Sequence, residues 1–208
     1  MICEYIDGDT FYELNIGVEQ QLSKVNGLNK GQLRDVVKIN TCFINKVKTL
    51  LIQFDKSDKM GAIGVAEGEK ITSAFEYAIQ KKLPIITVIA SGGIRVNEGT
   101  LALMQMIKMA AAVKQHNDKR LLYIAVVTNP TLGGASASFI SLADIIIAEK
   151  NAIYGFSGRR IIEDTTHEQL PNDFQTAEYA KRHGMVDIVA DKAEIKQIIS
   201  KLMRVHEG

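Results

Sequence analysis

Ile89-Ala90-Ser91-Gly92-Gly93-Ile94-Arg95 and, further along, Thr128-Asn129-Pro130-Thr131-Leu132-Gly133-Gly134-Ala135-Ser136 are the stretches on which the fold turns. Each follows an apolar, β-branched run with a pair of adjacent glycines and then a helical pattern. A strand–turn–helix unit occurring twice predicts parallel strands with the turns at their C-terminal ends. Ile85 to Ala90 is nearly continuous in apolar residues, the pattern of a strand buried on both faces. Beyond the first turn the spacing predicts a long helix from Glu98 to about Gln115, with Asn97 as its N-cap.

The same reading extends to both sides. Val36 to Ile44 and Lys46 to Phe54 form two paired strands around Asn45. Ile71, Phe75, Ala78 and Ile79 share one helical face, and Leu83-Pro84 ends that helix. Leu121 to Thr128 is a strand, Asn129 to Gly133 a turn, and Gly134 to Leu142 a short helix of small residues. Ile145 to Ala148 and Ile153 to Phe156 are further strands. Helices follow at Phe174 to His183, stopped by Gly184, and at Ala193 to Val205. Residues 1–35 are an irregular lead-in with one short helix around Ile16 to Val25, and 36–208 form the main domain.

Composition narrows the function. The chain has 208 residues, 46% hydrophobic and 24% charged, with a formal net charge of +1. That balance suits a single globular domain and calls for neither a nucleic acid nor a membrane surface as partner. Cys3 and Cys42 are too few and too far apart for a disulfide framework or a zinc site. No signal peptide or membrane span is visible, so the expected location is cytoplasmic.

Glycine serves where the backbone needs φ > 0 or where a ligand must come close. At a helix start the backbone N–H groups lack intrahelical partners and favour negative charge. Two such starts side by side can each offer an amide to one oxygen and stabilise it as an enolate. Either pair taken singly reads better as close helix–strand packing. Neither fits a nucleotide loop: the G-x-G-x-x-G spacing and the P-loop sequence are both missing. No G-x-S-x-G elbow is present for a serine hydrolase. His116, His167, His183 and His206 lie in polar contexts and read as surface residues.

The run from Gly68 to Val189 resembles the β subunit of bacterial acetyl-CoA carboxylase carboxyltransferase, of the crotonase-like superfamily. The resemblance rests on Gly68-Glu69-Lys70-Ile71, Ala90-Ser91-Gly92-Gly93-Ile94-Arg95, and Leu103-Met104-Gln105-Met106. It continues through Pro130 to Phe139, Asp144 to Glu149, Gly155-Phe156-Ser157-Gly158 and Gly184-Met185-Val186-Asp187. It implies an α/β fold, a crotonase-like spiral of ββα units with C-terminal helices. It also implies an acyl-CoA substrate, acetyl-CoA or a relative, and carboxybiotin presented by a separate biotin carboxyl carrier protein. No Met-Lys-Met biotin acceptor occurs in this chain.

In that reading the Gly93 and Gly134 amides hold the thioester oxygen, while Ser91, Gly92, Arg95, Gly133 and Ala135 flank the substrate. Arg95 could reach a CoA phosphate or pair with Glu98, and the ion pair is the expectation. A second, α-type crotonase-like subunit would complete the site. The helix from Glu98 to Gln115 fits this, because Leu101, Met104, Ile107, Met109 and Ala112 give it more apolar faces than one core needs. The product would be of the malonyl-CoA type. A biotin-independent acyl-thioester decarboxylase subunit and a non-catalytic assembly subunit are the alternatives.

Three departures from the family stand out. The four-cysteine zinc ribbon is missing, and no zinc is expected. Met60-Gly61-Ala62-Ile63-Gly64 has one glycine fewer than the family's corresponding loop. Arg159 stands where a proline is usual, and Arg160 matches.

Overall fold

The computed structural model describes residues 7, 10–14, 36–57 and 59–207. The expected helix at Ile16 to Val25 lies outside the described residues. The strands are β1 (Tyr12–Glu13), β2 (Val37–Ile44), β3 (Val47–Phe54), β4 (Ile85–Ser91), β5 (Tyr123–Thr131), β6 (Ile145–Glu149) and β7 (Ile188–Ala190). The helices are α1 (Val65–Lys81), α2 (Thr100–Asp118), α3 (Gly133–Ser138), α4 (Arg159–Thr166), α5 (Ala177–Arg182) and α6 (Lys192–Glu207).

Among the described residues the strands form one sheet in the order β1 to β7, the order of the chain itself. β1, β2 and β3 pair antiparallel, and every later neighbour pairs parallel. Side-chain alternation divides the central strands between two apolar layers. Leu50, Ile52, Ile85, Ile89, Tyr123, Ala125 and Val127 face the layer with α1 and α2, which send in Ile71, Phe75, Met109 and Val113. Leu51, Ile86, Ile124, Val126 and Ile147 face the layer closed by Ile195, Ile199 and Met203 of α6. Both faces of β4 and β5 are therefore covered, which is why those strands read as unbroken apolar runs.

Several boundaries differ from the sequence reading, each for a local reason. Asn97 does not cap α2. Val96–Glu98 is a short 3-10 turn, and Gly99, at φ 70°, is the residue before the helix. Glu98 is drawn out of the helix because its carboxylate accepts from the Val65 amide (2.8 Å) and from Arg95 (2.5 Å). β5 runs on to Thr131, which pairs with Ser91 after a register shift, so the turn begins later than expected. Ile153 to Phe156 is not a strand. Its bridges are single, Thr131 with Tyr154 and Ile153 with Thr176, because its backbone is shared between two partners. α5 begins at Ala177, where the Thr176 hydroxyl accepts from the Tyr179 amide. β1, β7 and α4 were not anticipated; α4 is eight residues long and buries no side chain.

His116 departs furthest from expectation. It is fully buried on α2, its Nε2 lies 3.1 Å from the Leu83 carbonyl, and its ring meets Phe75 edge-on. It falls on the buried helical stripe that also holds Ala102, Gln105, Met109, Ala112 and Val113. The polar sequence around it concealed that period.

Candidate functional site

Four backbone segments lie side by side at the C-terminal edge of the parallel strands: Met60–Gly64, Ser91–Arg95, Thr131–Ser136 and Ile153–Ser157. The first two are laced together. The Gly92 amide donates to the Met60 carbonyl (2.9 Å), the Ile63 amide to Gly93 O (2.8 Å), and the Arg95 amide to Ile63 O (2.7 Å). The second and third join where the Leu132 amide donates to Ser91 O (2.9 Å). The Gly133 amide donates to Phe156 O (2.7 Å) and the Ser136 hydroxyl to Gly155 O (2.6 Å), which ties in the fourth.

Glycine is required here for space as well as conformation. Gly61, at φ +65°, sits so close to β4 that a Cβ would lie 2.2 Å from the Ala90 carbonyl oxygen. Gly93, at φ +112°, faces the second turn, where a Cβ would stand 3.3 Å from the Gly134 nitrogen. A Cβ on Gly134 would run into Ile94 Cγ1 at 2.2 Å. The two Gly-Gly turns are thus in direct contact.

The amides of these turns are not equivalent. The Gly93 amide, expected to face substrate, already donates to Ser91 Oγ (3.2 Å), and that hydroxyl donates to Gly61 O (2.7 Å). The Gly134 amide lies in the first turn of α3, where no intrahelical acceptor exists. Among the described residues neither the Gly134 amide nor the Ile94 amide has an acceptor. Both residues are half-buried.

Ser91, Ala135 and Arg95, expected beside the substrate, are buried, and Arg95 makes the expected ion pair with Glu98. Ser91 and Ala135 are completely buried, one as the hydroxyl that joins two loops and the other in the core. Arg95 is 8% exposed, and its guanidinium binds Glu67 (2.7 Å), Glu98 (2.5 Å) and the Ala62 carbonyl (2.9 Å). Glu67 in turn accepts from the Gly64 amide (2.8 Å), the capping contact of α1. Arg95 therefore clips the Met60–Gly64 loop and the start of α1 to the first turn. Gly92 is exposed and Gly133 half-buried. The sequence reading missed the Met60–Gly64 loop as a neighbour of the turns, although Gly61 and Gly64 signalled a close approach. It also missed the Phe156 carbonyl, for which no signal exists.

Against this geometry, the family model of the carboxyl transferase domain matches residues 3–204. The chain belongs to the carboxyl transferase family. Among its relatives is the acetyl-coenzyme A carboxylase carboxyl transferase subunit beta 1 of Lachnospira eligens. It is 47% identical over 91% of this chain and 73% of its own length. The corresponding beta subunit of Prochlorococcus marinus is 40% identical over 97% of this chain and 72% of its own. Solved structures share the fold. The transcarboxylase 12S structure with methylmalonyl-coenzyme A bound superposes at a TM-score of 0.82 with 25% identity, covering 96% of this chain and 39% of that one. The Pseudomonas malonate decarboxylase hetero-dimer superposes at 0.77, with 20% identity over 96% of this chain and 82% of that one, a likeness of fold alone. The crotonase-like α/β architecture expected from the sequence is the one found. As in any carboxyl transfer to a thioester, the charge to be stabilised is on a carbonyl oxygen, and unpartnered amides suit it.

Proposed function

We propose that the chain is the acyl-thioester half of a biotin-dependent carboxyltransferase. It binds acetyl-CoA or a related acyl-CoA and stabilises the enolate that accepts a carboxyl group, giving a malonyl-CoA-type product. The observation that carries this reading is the Gly134 amide, without an acceptor at a helix start, packed against the equally unpartnered Ile94. Preorganised amides of this kind are worth most as negative charge develops, because they need no reorganisation at the moment of reaction.

As the α-C–H bond breaks, its electrons move to the thioester oxygen. The Gly134 and Ile94 amides hold that oxygen until the new C–C bond forms and the carbonyl is restored. Assigning Ile94 moves the first donor one residue beyond Gly93, whose amide Ser91 holds. Carboxybiotin, carried by a separate protein, would supply the carboxyl group as the bond from its nitrogen to that group breaks, and the nitrogen so freed would take the α-proton as the base. Glu67 and Glu98 are spent on Arg95 and do not serve as that base.

The partner completing the site is a second crotonase-like subunit, docked on the outer face of α2. Leu103, Met104 and Ile107 are each about half exposed or more there, opposite the buried stripe, and Leu101 adjoins them. Among the described residues no helix is long and apolar enough to cross a membrane.

The test replaces the Gly134 peptide amide by an ester, removing the donor without adding a side chain. In the assembly with its partner subunit and carboxybiotin, kcat should fall by about a hundredfold to a thousandfold while acyl-CoA affinity changes little. Unchanged turnover, or efficient decarboxylation of malonyl-CoA without biotin, would overturn the reading.

A further inference from the structure

The segment Ile153–Ser157 is not a strand, yet its Phe156 carbonyl decides which amide of the second glycine turn is spent. That carbonyl accepts from the Gly133 amide at 2.7 Å, and the Gly134 amide beside it is left without an acceptor among the described residues. Only single bridges join the segment to its neighbours, so no ladder of hydrogen bonds sets its height. Its position is fixed from behind, by Gln175.

Gln175 is 5% exposed and sits at φ +65°, a conformation that glycine adopts freely and glutamine only under strain. Strain of this kind persists where the surroundings over-determine it, and it gathers at functional positions. Here the side chain makes contacts that no glycine could. Its Nε2 donates to the Ser157 carbonyl at 2.7 Å, while its backbone carbonyl accepts from the Tyr154 amide at 2.8 Å. Between those two points its amide group lies flat on Gly155, where a Cβ would stand 2.3 Å from Nε2. The two residues that flank Phe156 are therefore both held by one side chain. Gln175 is itself anchored by its neighbour Thr176, which caps α5 and whose amide donates to the Asp173 carbonyl at 3.0 Å.

We propose that Gln175 is a positioning residue for carboxyl transfer. By holding Gly155 and Ser157 it sets the Phe156 carbonyl where it captures the Gly133 amide, and so leaves the Gly134 amide aimed at the thioester oxygen. The proposal rests on the reading of Gly134 as an oxyanion donor. Gln175 acts only through the backbone, and a shift of about 1 Å at the donor is enough to cost roughly a hundredfold in rate.

Gln175→Met keeps the volume and removes the donor to Ser157. In the full chain carrying isotope-labelled glycine, hydrogen exchange at Gly133 should quicken by about tenfold or more. Gly92, whose amide donates to the Met60 carbonyl on the other turn, should stay within about twofold. In the assembly with its partner subunit and carboxybiotin, kcat should fall by about tenfold or more while KM for acetyl-CoA changes little. Gln175→Gly, suited to φ +65°, should show the same pattern and serves if the methionine variant does not fold. Failure of both to fold would make Gln175 a residue of folding and overturn the proposal. Unchanged exchange at Gly133, equal quickening at Gly133 and Gly92, or a variant with full kcat would also overturn it. An inactive Gly134 ester beside a fully active Gln175→Met enzyme sinks this proposal alone, whereas an active ester sinks the reading beneath it.

Discussion

Gly93 and Gly133 touch through their α-carbons: a Cβ on Gly93 would lie 3.2 Å from Gly133 Cα, and one on Gly133 would lie 3.1 Å from Gly93 Cα. Both have positive φ, +112° and +66°. Gly93→Ala and Gly133→Ala should therefore each cost about 1–3 kcal/mol, from backbone strain plus crowding. Gly184→Ala, at φ +73° with nothing within 4 Å, should cost only the conformational part. Urea denaturation of the three variants checks the ranking, and equal losses would show that the contact between the turns is unimportant.

Arg95→Met removes the cation from two buried or half-buried carboxylates. A loss of about 3–5 kcal/mol is expected, because breaking one side of a buried ion pair leaves the other uncompensated. Arg95→Lys should recover only part of it, since an ammonium cannot reproduce the fork that reaches Glu67, Glu98 and Ala62 together. Denaturation midpoints measure both.

Burial holds the His116 imidazole below its ordinary value of 6.5, more than the Leu83 carbonyl and the Asp144 charge raise it. The unfolded chain then binds this proton more readily than the folded one. The stabilisation is complete above pH about 6.5 and is lost progressively as pH falls through the folded value. His116→Gln should flatten that part of the stability–pH curve. A slope unchanged between pH 7 and 5 in the variant would refute the assignment.

Burial, with the Asp7 charge adding to it, pushes the Cys42 thiol up to about 12. In a Cys3→Ser background the native chain should react with a thiol reagent at pH 8 far more slowly than the unfolded chain does. Rapid native labelling would contradict the buried position of β2.

Ile107→Glu places a charge on the exposed face of α2. The isolated chain should keep its stability within about 0.5 kcal/mol, as is usual for surface changes. Its association with the proposed second subunit, followed by sedimentation, should be lost. Retained association would place the partner on another surface.

The fold was legible where periodicity is strong. The β2–β3 hairpin, α1, β4 and β6 came out within a residue or two, since both faces of the sheet are buried and the apolar runs say so. Boundaries set by tertiary hydrogen bonds were not legible. Glu98 leaves its helix for the Val65 amide and Arg95, and the segment at Ile153 divides its backbone between Thr131 and Gln175. At the site, the two Gly-Gly turns could be found from their glycines. Which amide is free could not, because it depends on Ser91 capturing Gly93, a contact invisible in spacing. Ser91 and Ala135 were placed with the substrate because they adjoin the glycines, yet a turn exposes some neighbours and buries others.

The identity between chain order and strand order bears on synthesis. Each strand from β2 to β7 can join the sheet as it emerges from the ribosome, on a neighbour that has already been made. Each parallel pairing must still wait for its crossover, such as the 35 residues between Leu50 and Ile85 or the 41 between Ile147 and Ile188. The exception is the face that Ile195, Ile199 and Met203 cover, which stays bare until the final helix is released. A nascent chain stalled before Lys192 would hold an assembled sheet with one oily side open to water, and a chaperone would find its footing there.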